Sequence, residues 1–241
     1  MSQSIYLLDS DPIFPSAHFA QQEPNGLLAI GGDLSSPRLL EAYRNGIFPW
    51  YCEGEPILWW SPNPRCVFNL TDDYPIHISK SLKRHLKKSH YRILINQDFK
   101  KVIASCSKPR PKQAETWILP EMQRAYIELN RQGYAHSVEV YDETDALIGG
   151  LYGVSLGKFF FGESMFSAKP DASKIALAHL SYYLKKAGFV LIDCQVPNDH
   201  LYSLGAVDIG RDNFLALLQK YRDWQQPADL FKVAKELTDW Q

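Results

Sequence analysis

The 241-residue chain has no uninterrupted apolar stretch of transmembrane length, so no membrane-spanning segment is expected. Its four cysteines, Cys52, Cys66, Cys106 and Cys194, are widely spaced and form no CxxC pair. That spacing argues against a zinc site or a disulfide framework and for reduced thiols in a cytosol. No GxxxxGK[ST], GxSxG or HExxH occurs, which removes the P-loop, nucleophile-elbow and zincin readings. There is no internal repeat and no low-complexity tract. A net charge of −1 and a pI near 6.7 exclude wholesale coating of nucleic acid but leave room for a local basic patch. Met1–Asp11 carries no basic n-region, and its apolar run Ile5–Leu8 is too short for a signal peptide. A cytoplasmic protein with no metal and no cofactor is therefore expected.

What is present is ordinary globular material, 45% hydrophobic and 22% charged, with a rich 13% of aromatics that includes six Trp. The length fits one large domain or two unequal ones. The first sixty-odd residues are dense in Pro, Gly and Trp, and regular patterns take over from Val67. A boundary near Asn63–Arg65 is expected, dividing the chain into 1–63 and 64–241. In the first part Glu23-Pro-Asn-Gly26 reads as a turn and Leu27–Ile30 as a strand. Ser35 or Ser36 then caps a helix with Pro37 in its first turn, Leu39, Leu40 and Tyr43 on its apolar face, and Gly46 at its end. The second part reads as helices over Ser79–Lys88, Asp98–Ser105, Pro120–Gln132, Ser173–Lys186 and Asp212–Trp224. Strands are expected over Tyr91–Asn96, His136–Tyr141, Ala146–Val154, Lys158–Phe161 and Phe189–Val196. This mixed order indicates an α+β, α/β-like sheet domain covered by helices.

Two polar interruptions stand out in apolar strands. Within Phe189–Val196, Asp193 and Gln195 fall on one face at a period of two, with Ile192 and Cys194 on the other. A carboxylate inside a sheet must meet a partner, a cleft or water. The pair either caps loops and satisfies backbone groups, or forms the polar edge of an apolar pocket. The turn Pro197-Asn-Asp-His200 at the carboxyl end of that strand favours the pocket. Cys194, on the opposite face, reads as packing. Glu163 follows Phe159–Phe161 and is either a solvated strand end or a site residue. Leu151, Phe160, Met165, Leu177 and Ile192 either line an apolar pocket or are simply core.

Between Ile78 and Arg92 lie Lys80, Lys83, Arg84, Lys87, Lys88 and Arg92 without one acid. Ile78, Leu82 and Leu86 share another helix face, so the helix docks on the protein and shows a positive stripe. An excess of one sign is unfavourable on an isolated helix. Such a run is either a solvated face or, in a nearly neutral chain, a site for phosphate and hence for nucleic acid, and the second reading is preferred.

The ordered set Glu23-Pro-Asn-Gly-Leu-Leu-Ala, Gly31-Gly-Asp-Leu, Gly46-Ile-Phe-Pro-Trp50, Leu58-Trp-Trp-Ser-Pro62 and Pro64-Arg65 resembles the leucyl/phenylalanyl-tRNA–protein transferases of bacteria. So do Thr116-Trp117-Ile118, Gly162-Glu-Ser-Met-Phe-Ser167, Ala172-Ser-Lys174, Ile192-Asp-Cys-Gln195, Asn198-Asp-His200 and Ser203-Leu-Gly-Ala206. Each motif alone is weak, but the ordered set is specific and spans nearly the whole chain. The resemblance implies a small N-terminal domain and a GNAT-like acyltransferase domain. It implies transfer of Leu or Phe, less readily Met, from Leu-tRNA or Phe-tRNA to proteins with N-terminal Arg or Lys, marking them for degradation. Asp193 and Gln195 take the places of the family's catalytic pair. Trp50, Trp117 and Phe160 take those of the aromatic contacts to the terminal adenosine and side chain, and Glu163 that of the pocket acid; Asn198 belongs to the same substrate-binding set. Leu151 and Leu180 replace the family's Met and Phe, which leaves the Leu:Phe ratio open.

An aminoacyl-tRNA is already an activated ester, so no covalent nucleophile is required. Either the Gln195 carbonyl accepts a hydrogen bond from the attacking amine, with Asp193 polarising that amide, or the neighbouring hydroxyl of the tRNA relays the proton. An acyl-CoA N-acyltransferase is disfavoured, because Ser167-Ala-Lys-Pro-Asp-Ala172 offers no glycine-rich pyrophosphate turn. A non-catalytic RNA-binding module is the remaining rival. A monomer is expected.

Overall fold

A computed structural model describes residues 5–73, 75–88, 91–109 and 116–238. A four-stranded sheet in the order β1-β2-β4-β3 is built from β1 (Tyr6–Leu8), β2 (Leu27–Gly31), β3 (Phe48–Pro49) and β4 (Leu58–Trp60). A 3-10 turn, Ala17–Phe19, and helix α1 (Ser36–Arg44) lie within this stretch. Pro37 stands in the first turn of α1, but Ser35 caps it without a side-chain hydrogen bond. Gly46 ends it with φ +71°, the left-handed geometry that follows many helices.

The second sheet has eight strands in the order β11-β5-β10-β9-β8-β7-β6-β12. These are β5 (Arg65–Asn69), β6 (Tyr91–Ile95), β7 (Ala135–Asp142), β8 (Leu147–Leu156), β9 (Phe159–Ser167), β10 (Leu191–Asp193), β11 (Val207–Ile209) and β12 (Lys235–Glu236). Its helices are α2 (Lys80–Lys88), α3 (Phe99–Cys106), α4 (Pro120–Arg131), α5 (Ala172–Lys186), α6 (Asp199–Ser203) and α7 (Arg211–Tyr221). Asp98 caps α3 by accepting from the Lys101 amide at 3.1 Å.

Side-chain alternation along the strands sorts the large sheet into two cores. Val67, Tyr152, Val154, Phe159, Phe161 and Leu191 join α3, α4, α7 and the smaller sheet on one face. Phe68, Leu151, Phe160 and Ile192 join α2 and α5 on the other. Trp59, from β4, is fully buried in the first of these cores, so the two sheets share one apolar interior.

Two strand expectations are corrected. The strand read as Lys158–Phe161 runs over Phe159–Ser167, and it carries a bulge. Tyr152 pairs with Ser164 but Gly153 with Gly162, so Glu163 is the extra residue. A bulge shifts the alternation by one, which puts Met165 opposite Leu151 instead of on the Phe161 face. The strand read as Phe189–Val196 is only Leu191–Asp193. Asp193, opposite Phe161, is its last residue paired to β9. Beyond it the two parallel strands part.

Candidate active site

The parting of β9 and β10 opens two cavities that meet. The first, about 440 Å³, is lined on its apolar side by Phe68, Leu151, Phe160, Met165, Leu177, Leu180 and Ile192. The second, about 330 Å³, is lined by Phe48, Trp50, Trp117, Val196 and Pro197. Glu163, Cys194, Gln195 and Asn198 line both and form the junction. Trp50 is 41% exposed and rests against Trp60, with ring centroids 5.9 Å apart.

The pair on β10 is not disposed as strand alternation requires. Asp193 keeps strand geometry, is fully buried and lines neither cavity. Its carboxylate accepts both arms of a fork from Arg65, Nε to Oδ1 at 2.8 Å and Nη2 to Oδ2 at 2.7 Å. The third nitrogen, Nη1, donates to the Gly46 carbonyl at 3.0 Å. Phe48 and Phe214 cover the guanidinium, their ring centroids 4.8 and 4.6 Å from Cζ. Asp193 Oδ1 also accepts the backbone N–H of Gln195 at 2.9 Å. Gln195 itself is left-handed, with φ +58°. A non-glycine residue there is uncommon and needs fixing by its surroundings. Here the Asp193 carboxylate fixes it, and the turn swings the Gln195 side chain to the junction. Asp193 thus grips the backbone of Gln195 rather than its side-chain amide. Cys194, assigned by alternation to the opposite face, shares the junction with Gln195. Burial pushes its thiol well above the ordinary range, with Cys66 and Asp193 adding to the effect, so it stays protonated and is no nucleophile.

The Gln195 amide is held from its nitrogen end, with Nε2 donating to Glu163 Oε1 at 3.0 Å. Its Oε1 is the end turned from that contact. Glu163 is partly buried within the bulge and ringed by tyrosines. Tyr43 Oη lies 2.7 Å from Oε1 and Tyr126 Oη 2.9 Å from Oε2. Loss of hydration raises the Glu163 carboxyl from 4.5 to about 7; the tyrosine and Gln195 hydrogen bonds oppose that rise, and the nearby Asp193 charge reinforces it.

Of the residues that the sequence offered for a pocket, Leu151, Phe160, Glu163, Met165, Leu177, Ile192, Gln195 and Asn198 line the first cavity, and Asp193 does not. Trp50 and Trp117 line the second. Lys80, Lys83, Arg84 and Lys87 are exposed on α2 and line neither cavity; the side chain of Lys88 lies outside the described residues. The residues that sequence reading passed over are Arg65, Tyr43, Tyr126 and Tyr152. Tyr43 was assigned to an apolar helix face, and its ring does pack there, 4.9 Å from Phe161. Only its hydroxyl reaches the site, and no spacing announces that.

A family model described as "Leucyl/phenylalanyl-tRNA protein transferase" matches residues 70–219, and one for the N-terminal domain of the same family matches 32–63. The chain belongs to this family. It is 54% identical to the "Leucyl/phenylalanyl-tRNA--protein transferase" of Pseudomonas fluorescens (strain Pf0-1) over 87% of its own length and 91% of that protein's. The like-named protein of Pseudomonas aeruginosa (strain LESB58) is 51% identical over 93% of this chain and 98% of the relative. A solved structure titled "The structure of L-PGS from Bacillus licheniformis" overlaps with a TM-score of 0.41 at 10% identity, over 87% of this chain and 65% of that one, too loosely to assign a fold. Among the described residues no group of three or more His, Cys, Asp or Glu is placed to hold a metal, and no helix is long and apolar enough to cross a membrane.

Proposed function

We propose that this chain transfers Leu or Phe, less readily Met, from aminoacyl-tRNA to the α-amino group of proteins beginning with Arg or Lys, in the cytoplasm and as a monomer. Such transfer marks the acceptor for N-terminal-dependent degradation. The observation that carries the reading is the meeting of two unlike cavities at one polar junction. An apolar pocket takes the amino-acid side chain, an aromatic cleft stacks the terminal adenosine, and the ester joining them falls at Gln195. The division into 1–63 and a GNAT-like 64–241 belongs to the same reading. It is supported by the two sheets sharing no strand and by the parting of parallel strands at the site.

The amine nitrogen attacks the ester carbon, the C–O bond to the ribose breaks, and the amine's proton ends on the departing oxygen. An N-terminal amine has a pKa of about 7.7–8.0 and needs little help to be neutral. Gln195 Oε1 accepts a hydrogen bond from that amine and aims its lone pair. Glu163 polarises the amide from its nitrogen end, and Asp193 fixes the backbone beneath it. Asp193 is therefore a positioning residue, and Gln195 is the group that touches the reaction. Holding amine and ester in attack geometry lowers the barrier by roughly 7–11 kcal/mol. The ribose hydroxyl beside the ester is the nearest relay for the proton, since an amide oxygen is no base. Glu163 Oε1 and Gln195 Oε1 together receive the cationic acceptor end.

The test is transfer of labelled Leu from Leu-tRNA to an Arg-starting peptide. Label should appear in the peptide with wild type and fall by about 10² or more with Gln195→Ala, as expected for a lost positioning contact. Folded Asp193→Ala and Gln195→Ala proteins that keep near-full rates would sink the mechanism. No label with charged tRNA would sink the function.

A further inference from the structure

Three oxygen contacts at the junction need three hydrogens, and the usual ionisation states supply two. Tyr43 Oη lies 2.5 Å from Tyr126 Oη, 2.7 Å from Glu163 Oε1, and Tyr126 Oη lies 2.9 Å from Glu163 Oε2. Each phenol has one hydrogen. If Glu163 were a carboxylate, both phenols would point at it, and the 2.5 Å contact would set lone pair against lone pair or share one hydrogen between two acceptors. Ionising a tyrosine makes the shortage worse, and burial holds Tyr43 and Tyr126 well above their ordinary range. A proton on Glu163 satisfies every contact, and the sense of the ring that leaves a carbonyl, the better acceptor, facing Gln195 is favoured. Glu163 Oε2 carries a proton and donates to Tyr126, Tyr126 donates to Tyr43, and Tyr43 donates to Glu163 Oε1. That oxygen, now a carbonyl, still accepts Gln195 Nε2 at 3.0 Å.

The surroundings agree with a neutral acid. Tyr43 comes from α1, Tyr126 from α4 and Tyr152 from β8; the Tyr152 hydroxyl is buried without a hydrogen-bond partner among the described residues. From β10 comes the Asp193 carboxylate, whose charge is taken up by Arg65 of β5. The Cys194 thiol and His200 share the cavity wall, and burial keeps that thiol neutral. The hydrogen-bond partners of Glu163, namely Tyr43, Tyr126 and Gln195, carry no positive charge.

We propose that Tyr43 and Tyr126 are positioning residues that hold Glu163 as a neutral acid in the substrate-free site, and that a cationic acceptor end opens this ring and displaces the acid proton to solvent. This rests on the reading of Glu163 as the acceptor-facing acid. The two phenols decide the charge that the acceptor meets: a closed ring offers a weak neutral carbonyl, and an opened one offers a carboxylate. An apolar first residue brings no side-chain cation to open it, and the α-ammonium is common to every acceptor, so selection for Arg or Lys resides in the opening as well as in the contact.

Infrared difference spectroscopy of the intact enzyme tests both halves. At pH 6 the substrate-free protein should show the carbonyl stretch of one protonated carboxyl that disappears in Glu163→Gln. Tyr126→Phe should weaken the band and move what remains to higher frequency, because the acid hydrogen loses its acceptor and the open ring no longer demands the proton. Absence of the band in wild type, or an unchanged band in a folded Tyr126→Phe protein, overturns the ring. Saturating Arg-starting peptide should abolish the band, and Ala-starting peptide should leave it. A band that persists under a peptide which the enzyme is actively aminoacylating overturns the coupling. Failure of transfer with the band present instead counts against the acceptor reading alone, since the substrate-free spectrum needs no acceptor.

Discussion

Arg65 and Asp193 carry the most weight per residue in the site, although neither lines either of its two cavities. A buried ion pair satisfied by a two-armed fork is stable as a pair, and removal of one partner strands the other charge in an apolar interior. Arg65→Met should therefore cost about 3–5 kcal/mol of unfolding free energy, and Asp193→Leu a similar amount. The double replacement should recover much of the stability, because it strands no charge. It should not recover activity, since the Gln195 amide then loses the carboxylate that fixes its left-handed backbone. Denaturant melts of the four proteins, read as a double-mutant cycle, check the first statement; the transfer assay checks the second. Equal stability of the single and double variants would contradict this account. Glu163 makes a pH-dependent contribution of opposite sense to most acids. Its carboxyl rises from 4.5 to about 7 on folding, so between those values the native state binds more protons than the unfolded one. Stability then falls as pH climbs through that window and levels above it. The midpoint of thermal unfolding of wild type, less that of Glu163→Gln at the same pH, should fall across that window, since Glu139 and His136 titrate alike in both proteins. The sequence exposed the identities Asp193, Gln195 and Glu163 because each interrupts an apolar run. It did not expose the partners, since Arg65 and the hydroxyls of Tyr43 and Tyr126 arrive from 128, 120 and 37 residues away in the chain.

Among the elements, regular helices were legible and strand ends were not. Pro37, Asp98 and Gly46 are local devices, and they mark α1 and α3 wherever the rest of the chain lies. The bulge at Glu163 and the termination of β10 after Asp193 are decided by pairing between strands, which no local pattern records. The consequence was a reversed assignment of faces: alternation through an eight-residue strand sent Asp193 to the pocket and Cys194 away from it. A left-handed Gln195 does the opposite. The basic helix α2 is a clearer element, with Leu82 and Leu86 buried and Lys80, Lys83, Arg84 and Lys87 exposed. If it tracks a phosphate backbone, Lys83→Glu with Arg84→Glu should weaken aminoacyl-tRNA and flatten the log–log dependence of affinity on salt by about one per lost contact. A minimal donor, an aminoacyl-adenosine without further phosphates, should react as in wild type. Equal loss with both donors would place the helix in the fold or the chemistry instead.

Across the whole molecule, the site exists only where the smaller sheet and the larger one meet. Tyr43 and Trp50 come from the first sixty residues, and Glu163 and Gln195 from the last hundred. The joint is not a loose one. Arg65 donates to the Gly46 carbonyl, Arg222 Nη1 to the Arg44 carbonyl at 2.8 Å, and the Arg211 amide to Asn63 Oδ1 at 3.0 Å. Leu28, Leu39, Tyr43 and Trp59 are buried in the same apolar core as Phe159, Phe161, Phe214 and Leu218. Separating the two parts would expose both sides of that core and leave Arg65 with one acceptor fewer, a loss that neither part recovers alone. The two proposed domains should thus unfold as one cooperative unit despite their separate sheets. Three of the six Trp, at 50, 59 and 60, lie in the smaller part, so Trp emission weights that part while far-ultraviolet ellipticity follows the whole. The two thermal curves should superimpose, and transfer activity should vanish along the same curve. Emission that changes at lower temperature than ellipticity would show the smaller sheet detaching first, and the shared core would then bind the halves less tightly than its burial implies.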